Sequence, residues 1–325
     1  MEQGTLVLSL DFEMMWGNLD EWTVNGYGSS HVAQVRTVIS RLLGLFEKYD
    51  VKATFATVGL LMLPDKKAML EFFPEELPDY RNIKSPFDKG FIDGISSGDE
   101  KLYFACDVID ELKQSSQVEI GTHTFGHYYC WEEGQTISQF DADTRKAIEV
   151  AKEAGVELKS IVFPRNQVSE EYLEICLAQG IKVYRGNAKK YFEKTSSSLK
   201  ELRQRFLRLF DSYVNVGGYS SYPQPEIINL KGGRMMNVPA SRILRPYSPK
   251  LAFAEALRLG RIKKEIIHAA KKHEIYHLWW HPHNFGANME ENFQFLEKVL
   301  ACYSNCRKEY GMQSMFMGDF ANMGG

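Results

Sequence analysis

The chain has 325 residues, of which 44% are hydrophobic and 25% charged, and its formal net charge is -3. This composition is typical of a globular enzyme, and the small net charge gives no support for a protein that binds nucleic acid or an anionic membrane. The longest apolar run, from Ala53 to Leu63, is too short and too often interrupted by threonine and glycine to be a transmembrane segment.

The first residues and the cysteines bear on location. The N-terminus lacks the basic region of a secretion signal, and a strand pattern begins almost at once, at Leu6. Five cysteines without a regular framework are typical of reduced thiols. We therefore expect a cytoplasmic protein.

Strand-like and helix-like patterns alternate along the chain. Short apolar runs predict strands near 6–10, 53–59, 118–122, 160–165, 181–185, 237–240, 276–281 and 314–320. Apolar residues at helical spacing predict helices near 31–48, 103–112, 136–154, 251–272 and 291–310, and Ser169 is placed to cap one more.

This alternation predicts an α/β fold with a parallel sheet. Seven or eight strand–helix units favour a distorted (β/α)7–8 barrel over a doubly wound sheet. Two segments break the rhythm, a Pro-, Asp- and Gly-rich one around 64–98 and a Ser-rich, then basic one around 187–234. We interpret residues 1–325 as a single domain that carries these two insertions.

The chemically useful side chains follow the predicted strands. In parallel α/β folds, functional residues gather at the carboxyl ends of the strands. Here those ends carry two carboxylates, two histidines, one arginine and a second pair of histidines: Asp11, Glu13, His123, His127, Arg165, His281 and His283.

Two of these histidines, His123 and His127, have the spacing of a metal-binding pair. Neutral imidazoles four residues apart can face one ion from the first turn after a strand. Glu13 or Asp11 could complete a three-ligand site that leaves positions open for water and substrate, and the other carboxylate could then act as a base. Each feature alone also has a purely structural explanation; the coincidence of compatible groups at four strand ends favours a catalytic site.

These motifs resemble those of the polysaccharide deacetylases with a NodB homology domain, carbohydrate esterase family four. Ser9-Leu-Asp11-Phe-Glu13 resembles the acidic motif of that family, and His123-Thr-Phe-Gly-His127 matches its histidine motif in full. The resemblance implies that Asp11 is the catalytic base and that Glu13, His123 and His127 hold one divalent metal ion, for which Zn²⁺ is our expectation.

Later motifs extend the resemblance along nearly the whole chain. Phe163-Pro-Arg165-Asn-Gln167 resembles the motif whose arginine orients the base, and Leu278-Trp-Trp-His281 resembles the motif whose histidine protonates the leaving group. His283 is the alternative acid; His281 is favoured because it fits the strand end. For substrate contacts we expect His283, Trp280 and Tyr128.

The resemblance implies a metal-dependent carbohydrate de-N-acetylase of the NodB type, a hydrolase of carbon–nitrogen bonds other than peptide bonds. A cytoplasmic member would act on a nucleotide- or lipid-linked N-acylated sugar during surface polysaccharide biosynthesis, and basic residues could meet its phosphate: Arg203, Arg205, Arg208, Arg242 and Arg245. The alternatives are hydrolysis of another amide, such as an N-formyl sugar or a cyclic amide, and a non-catalytic sugar-binding protein.

Overall fold

A computed structural model describes residues 1–188, 210–213 and 217–323. Its ten strands are β1 (Thr5–Phe12), β2 (Ala53–Thr57), β3 (Val118–Thr122), β4 (Ser160–Ile161), β5 (Val183–Tyr184), β6 (Glu226–Leu230), β7 (Gly233–Asn237), β8 (Arg242–Ile243), β9 (Ile275–Trp280) and β10 (Gln313–Met315). The α-helices of the described residues are α1 (Val35–Tyr49), α2 (Lys66–Glu71), α3 (Lys89–Asp93), α4 (Cys106–Gln114), α5 (Ile137–Glu153), α6 (Glu170–Ala178), α7 (Glu255–Lys272) and α8 (Met289–Tyr310).

The strands form one curled sheet in the order β6-β7-β5-β4-β3-β2-β1-β9-β8, and β10 also pairs with β1. All pairs are parallel except the β6–β7 hairpin. The strands β7 and β8 lie near opposite ends of this order, because β7 pairs with β5 and β8 pairs with β9. The short segment between β7 and β8 therefore connects the two ends of the sheet. The predicted distorted α/β barrel is therefore confirmed.

The central strand β1 shows how the barrel is layered. All eight of its residues are buried, as expected for a strand with covered faces. Alternate residues, including Leu8 and Phe12, belong to the large core shared with the surrounding helices, whereas Val7 belongs to a second cluster with Val162 and Val183. The period of two therefore places the remaining alternate residues of β1 on the inner face with Val7.

The two expected insertions contain regular structure where they are described. The segment around 64–98 holds α2 and α3. The segment around 187–234 contains β6 and the start of β7, which the sequence reading did not predict, and most of its remainder lies outside the described residues. No helix in the described ranges is both long and apolar enough to cross a membrane.

Candidate metal site

Two carboxylates reach the inner side of the barrel at the carboxyl end of β1. Asp11 lies in the strand and Glu13 directly follows it, so the two share the inner face. The chain then turns through Met14, whose φ is 46°, into a short 3₁₀ helix. Gly17 in this helix leaves room for Glu13, because a Cβ at position 17 would lie 2.2 Å from Glu13 Oε1.

The two histidines lie across a tight turn at the end of β3. His123 follows the strand, and its backbone N–H donates to Thr57 O on β2 at 2.8 Å. Nε2 of His123 lies 3.4 Å from Glu13 Oε2, and Nε2 of His127 lies 3.0 Å from the same oxygen. The three side chains are buried, and their ligand atoms all lie within 4.8 Å of one another.

The partners of the other ring nitrogens fix the histidine tautomers. Nδ1 of His123 lies 2.7 Å from Val162 O, which can only accept, so Nδ1 carries the hydrogen. The Tyr129 hydroxyl donates to Gly17 O at 3.3 Å and accepts from Nδ1 of His127 at 3.1 Å. In the neutral rings, both Nε2 lone pairs therefore point toward Glu13.

The charge states suit a cation site. Burial lowers the pKa of His127 despite the neighbouring Glu13, which favours the neutral ring. Burial would raise the pKa of Glu13, but His281, His123 and His127 outweigh it and hold that pKa well below its usual value. Two imidazole nitrogens and a carboxylate oxygen thus converge on one point, a donor set that fits a divalent ion such as Zn²⁺.

Arg185 holds the second carboxylate, Asp11. Its two terminal nitrogens donate to the two oxygens of Asp11 at 2.7 Å each, and both side chains are buried. Burial alone would raise the pKa of Asp11, but the Arg185 charge and hydrogen bonds, together with the nearby His123 and His281, lower it. Asp11 is therefore ionised at neutral pH and fixed in direction.

A directional hydrogen-bond chain anchors Arg185 inside the barrel. Arg185 also donates to Ser9 Oγ at 3.0 Å, and the Ser9 hydroxyl donates to His277 Nε2 at 2.8 Å. His277 Nδ1 donates in turn to Val238 O at 3.1 Å. Burial and the Arg185 charge lower the pKa of His277 to about 3, so its ring is neutral.

The expectation that Arg165 orients Asp11 was wrong, because Arg165 pairs with a different carboxylate. Arg165 is partly exposed, pairs with Glu132 at 2.8 Å and lies over the Tyr129 ring at 4.1 Å. β4 ends at Ile161, so Arg165 lies beyond the sheet in a turn where its φ is 52°. Arg185 directly follows β5, a buried strand. Its position at a strand end is the feature of the sequence that could have indicated its role.

Of the two late histidines, His281 lies at the carboxylates. Its Nε2 is 3.5 Å from Glu13 Oε1 and 3.8 Å from Asp11 Oδ2, and its side chain is 22% exposed. His283 is almost fully buried behind it, stacked on the His281 ring at 5.0 Å and edge-on to Trp22. Burial and the neighbouring His281 lower the pKa of His283 to about 3, so the geometry favours His281 as the proton donor.

The two aromatic residues expected at the substrate are core residues. Trp280 is fully buried and stacks on Phe285, because the alternation of β9 turns it away from the barrel interior. Tyr128 is 1% exposed and its hydroxyl donates to Thr136 O. The partly exposed Trp279 faces the site instead, with its ring 4.2 Å from the Arg185 guanidinium and 5.6 Å from the His281 ring.

The basic residues considered for phosphate binding divide into two groups. Arg242 is buried in ion pairs with Asp211 and Glu265, at 2.9 and 3.2 Å, which corrects its expected phosphate role. Arg245 donates to Ser212 Oγ at 3.2 Å. Arg203, Arg205 and Arg208 lie outside the described residues.

Comparison with solved structures identifies the fold. A structure from Mycobacterium smegmatis described as a polysaccharide deacetylase matches 99% of this chain and 91% of its own, with a TM-score of 0.62 and 12% identity. A second, from Pseudomonas aeruginosa PAO1 and described in the same way, matches 98% of this chain and 90% of its own, with a TM-score of 0.57 and 10% identity. The fold is that of the polysaccharide deacetylases.

The fold alone does not identify the reaction. A structure described as PuuE allantoinase matches 98% of this chain and 90% of its own, with a TM-score of 0.54 and 11% identity. No protein-family model matches this sequence, and no curated protein sequence does either. At such low identities the reaction has to be argued from the side chains of the site.

Proposed function

We propose that this protein is a metal-dependent amide hydrolase that removes the acyl group from an N-acylated sugar. The observation that carries the proposal is the convergence of Glu13, His123 and His127 on one point, beside an ionised Asp11. Hydrolysis of an amide forms a carbon–oxygen bond with water, breaks the carbon–nitrogen bond, and releases a carboxylic acid and an amine.

The proposed centre holds one divalent ion on Glu13, His123 and His127. Two nitrogens and one oxygen make Zn²⁺ the first choice. When bound, such an ion lowers the pKa of water and polarises the amide carbonyl.

The chain's own residues supply the proton transfers. Asp11 accepts a proton from the attacking water, and Arg185 is a positioning residue that keeps Asp11 ionised and aimed. An amine leaves poorly as an anion, so the nitrogen needs a proton before the bond breaks. His281, partly exposed and beside both carboxylates, is placed to give it.

Two exposed features suit a sugar substrate. Trp279 presents part of its ring next to Arg185 and His281. Trp131, in the loop after His127, is 54% exposed, and its backbone N–H is held by Gln167 at 3.0 Å. Aromatic faces of this kind pack against the apolar faces of sugar rings, so we assign substrate contact to Trp279 and Trp131 rather than to the buried Trp280 and Tyr128.

We further propose that the sugar is nucleotide- or lipid-linked and that the protein works in the cytoplasm, in surface polysaccharide biosynthesis. All five cysteines are free thiols, which suits a reducing compartment. A phosphate-linked precursor is the form in which amino sugars are available there for glycan assembly.

A substrate panel tests this proposal. The protein, with and without added Zn²⁺, is given N-acetyl and N-formyl amino sugars in free, nucleotide-linked and polyprenyl-phosphate-linked form, together with a cyclic amide such as allantoin. Acetate, formate and free amine are then quantified. We expect acetate release from a linked N-acetyl sugar and none from the Glu13→Gln variant.

The other outcomes separate the alternatives. Formate release would identify a deformylase, and opening of allantoin would identify a cyclic amidase. Equal rates with free and linked sugars would overturn the proposed linkage. Sugar binding by metal-loaded protein without release of any acid would show a binding protein and contradict the proposed hydrolysis.

A further inference from the structure

Asp143, a residue outside the proposed reaction, binds the turn that connects the two metal histidines. It lies on α5 and is fully buried. Its Oδ1 accepts from the backbone N–H of Phe125 at 2.7 Å, and its Oδ2 accepts from the N–H of Gly126 at 2.8 Å. One carboxylate therefore binds both backbone N–H groups in the middle of the His123–His127 segment.

The turn needs such support because its backbone is strained. Thr124 and His127 have φ values of 65° and 56°, in the left-handed region that residues with a Cβ rarely adopt. Such conformations persist only where surrounding contacts hold them. Without Asp143, the N–H groups of Phe125 and Gly126 would also be buried without an acceptor.

Within the described part of the chain, no cation balances Asp143. Among the residues that the structure describes, its hydrogen-bond partners are the two backbone N–H groups, and no ion pair includes it. Burial raises its pKa to about 7, against the lowering effect of the two hydrogen bonds. A buried carboxylate without a countercharge is costly, so its presence at this turn calls for a role that an apolar residue would not fill.

We propose that Asp143 is a positioning residue for the metal centre: its two oxygens lock the strained turn that aims His123 and His127 at Glu13. This inference rests on the proposed metal site. The geometry requires a carboxylate, because an amide at this position offers one oxygen to one N–H and turns its own NH₂ toward the other.

Metal affinity is the readout that separates positioning from general stability. The variants are Asp143→Asn and Asp143→Ala, and the matched control is Asp141→Asn on the same helix, where Asp141 pairs with the exposed Arg145. Each purified protein is stripped of metal and titrated with Co²⁺ and Zn²⁺ against a chelator. The visible Co²⁺ absorption reports coordination geometry, and thermal melting of the metal-free protein reports stability.

We expect both Asp143 variants to bind Zn²⁺ roughly 10- to 100-fold more weakly than wild type, as for other partners that orient metal ligands, and to show an altered Co²⁺ spectrum. The Asp141→Asn control should match wild type in both. If Asp143→Ala does not fold, Asp143→Asn decides the test. A wild-type affinity and spectrum in Asp143→Asn, whatever its melting temperature, would overturn the inference. Absence of binding by wild type would instead overturn the metal site itself.

Discussion

At the scale of single residues, Asp11 and Glu13 face different partners although only one residue separates them. Glu13 Oε2 faces two imidazole nitrogens, whereas both oxygens of Asp11 face Arg185. The sequence left open which carboxylate would bind a metal. The geometry favours Glu13, because Glu13 faces both imidazoles, whereas Asp11 is paired with the Arg185 guanidinium.

The first prediction concerns Asp11→Asn. The amide cannot accept the proton of water, so we expect kcat to fall by about 10²- to 10⁴-fold. Glu13, His123 and His127 are untouched, so metal content should stay at the wild-type value. Steady-state kinetics and metal analysis of the same preparation check both statements. Full activity in this variant would remove Asp11 from the mechanism.

The second prediction compares Arg185→Gln with Arg165→Gln. Loss of Arg185 leaves Asp11 buried without its cation, which should lower the free energy of unfolding by about 3–5 kcal/mol and raise the pKa of Asp11. The acidic limb of the activity profile should therefore move to higher pH. Arg165 forms a partly exposed pair worth about 0–1 kcal/mol, so Arg165→Gln should leave that limb in place. A shift in Arg165→Gln alone would restore the sequence-based assignment.

The sequence could not decide which of two arginines contacts Asp11. Each is the last residue of a predicted strand, so position at a strand end could not by itself distinguish Arg165 from Arg185. The choice depends on β4 ending early and on the left-handed turn at Arg165 and Asn166, which are tertiary outcomes. The proposed metal ligands could be grouped from the sequence because they follow β1 and β3, which pair with the same neighbour, β2.

At the scale of elements, β9 separates a site tryptophan from a core tryptophan by its alternation. His277 and Trp279 face the barrel interior, on the side of His281, whereas Leu278 and Trp280 belong to the core shared with the helices. The same period of two could have been applied to the sequence, because His281 had already been assigned to the site. Trp279 would then have replaced Trp280 as the expected substrate contact.

The third prediction uses this pair. Trp279→Ala should raise KM for the sugar substrate and leave the melting temperature close to wild type, because its ring is partly exposed. Trp280→Ala removes a fully buried ring and should lower the free energy of unfolding by about 3–5 kcal/mol. Substrate kinetics and urea unfolding on both variants measure the two effects. A large loss of stability in Trp279→Ala together with a raised KM in Trp280→Ala would contradict the orientation of β9.

At the scale of the whole molecule, the barrel was predictable and the β6–β7 hairpin was not. Alternating apolar runs and amphipathic segments specify parallel strands with covering helices, and β1 is fully buried as that pattern requires. The β6–β7 hairpin escaped prediction because β6 alternates half-buried and exposed residues at the edge of the sheet. An edge strand in a Gly-, Tyr- and Pro-rich segment gives a weak sequence signal.

The fourth prediction concerns acid stability. The folded-state pKa values of His277 and His283 are about 3, below the ordinary value of 6.5. Each neutral ring therefore contributes stability that is present above pH 6.5 and is lost as the pH falls toward 3. When the pH falls from 7 to 5, each histidine becomes protonated in the unfolded chain but not in the folded one. Each should therefore lower the free energy of unfolding by about 2 kcal/mol.

His277→Gln provides the check, because glutamine can still donate to Val238 O and does not titrate. The loss of unfolding free energy between pH 7 and pH 5 should shrink by about 2 kcal/mol in this variant. Urea unfolding at the two pH values measures it. An unchanged difference between the two pH values would show that His277 is not held neutral in the fold.

The central claim is that Glu13, His123 and His127 hold a divalent ion that hydrolysis of the amide requires. The most direct measurement is acetate release by chelator-treated protein as Zn²⁺ is added back, with His123→Ala in parallel. We predict no release without metal, activity that rises to a plateau at one Zn²⁺ per chain, and no recovery in His123→Ala. Equal acetate release with and without metal, or full recovery in the variant, would contradict the account.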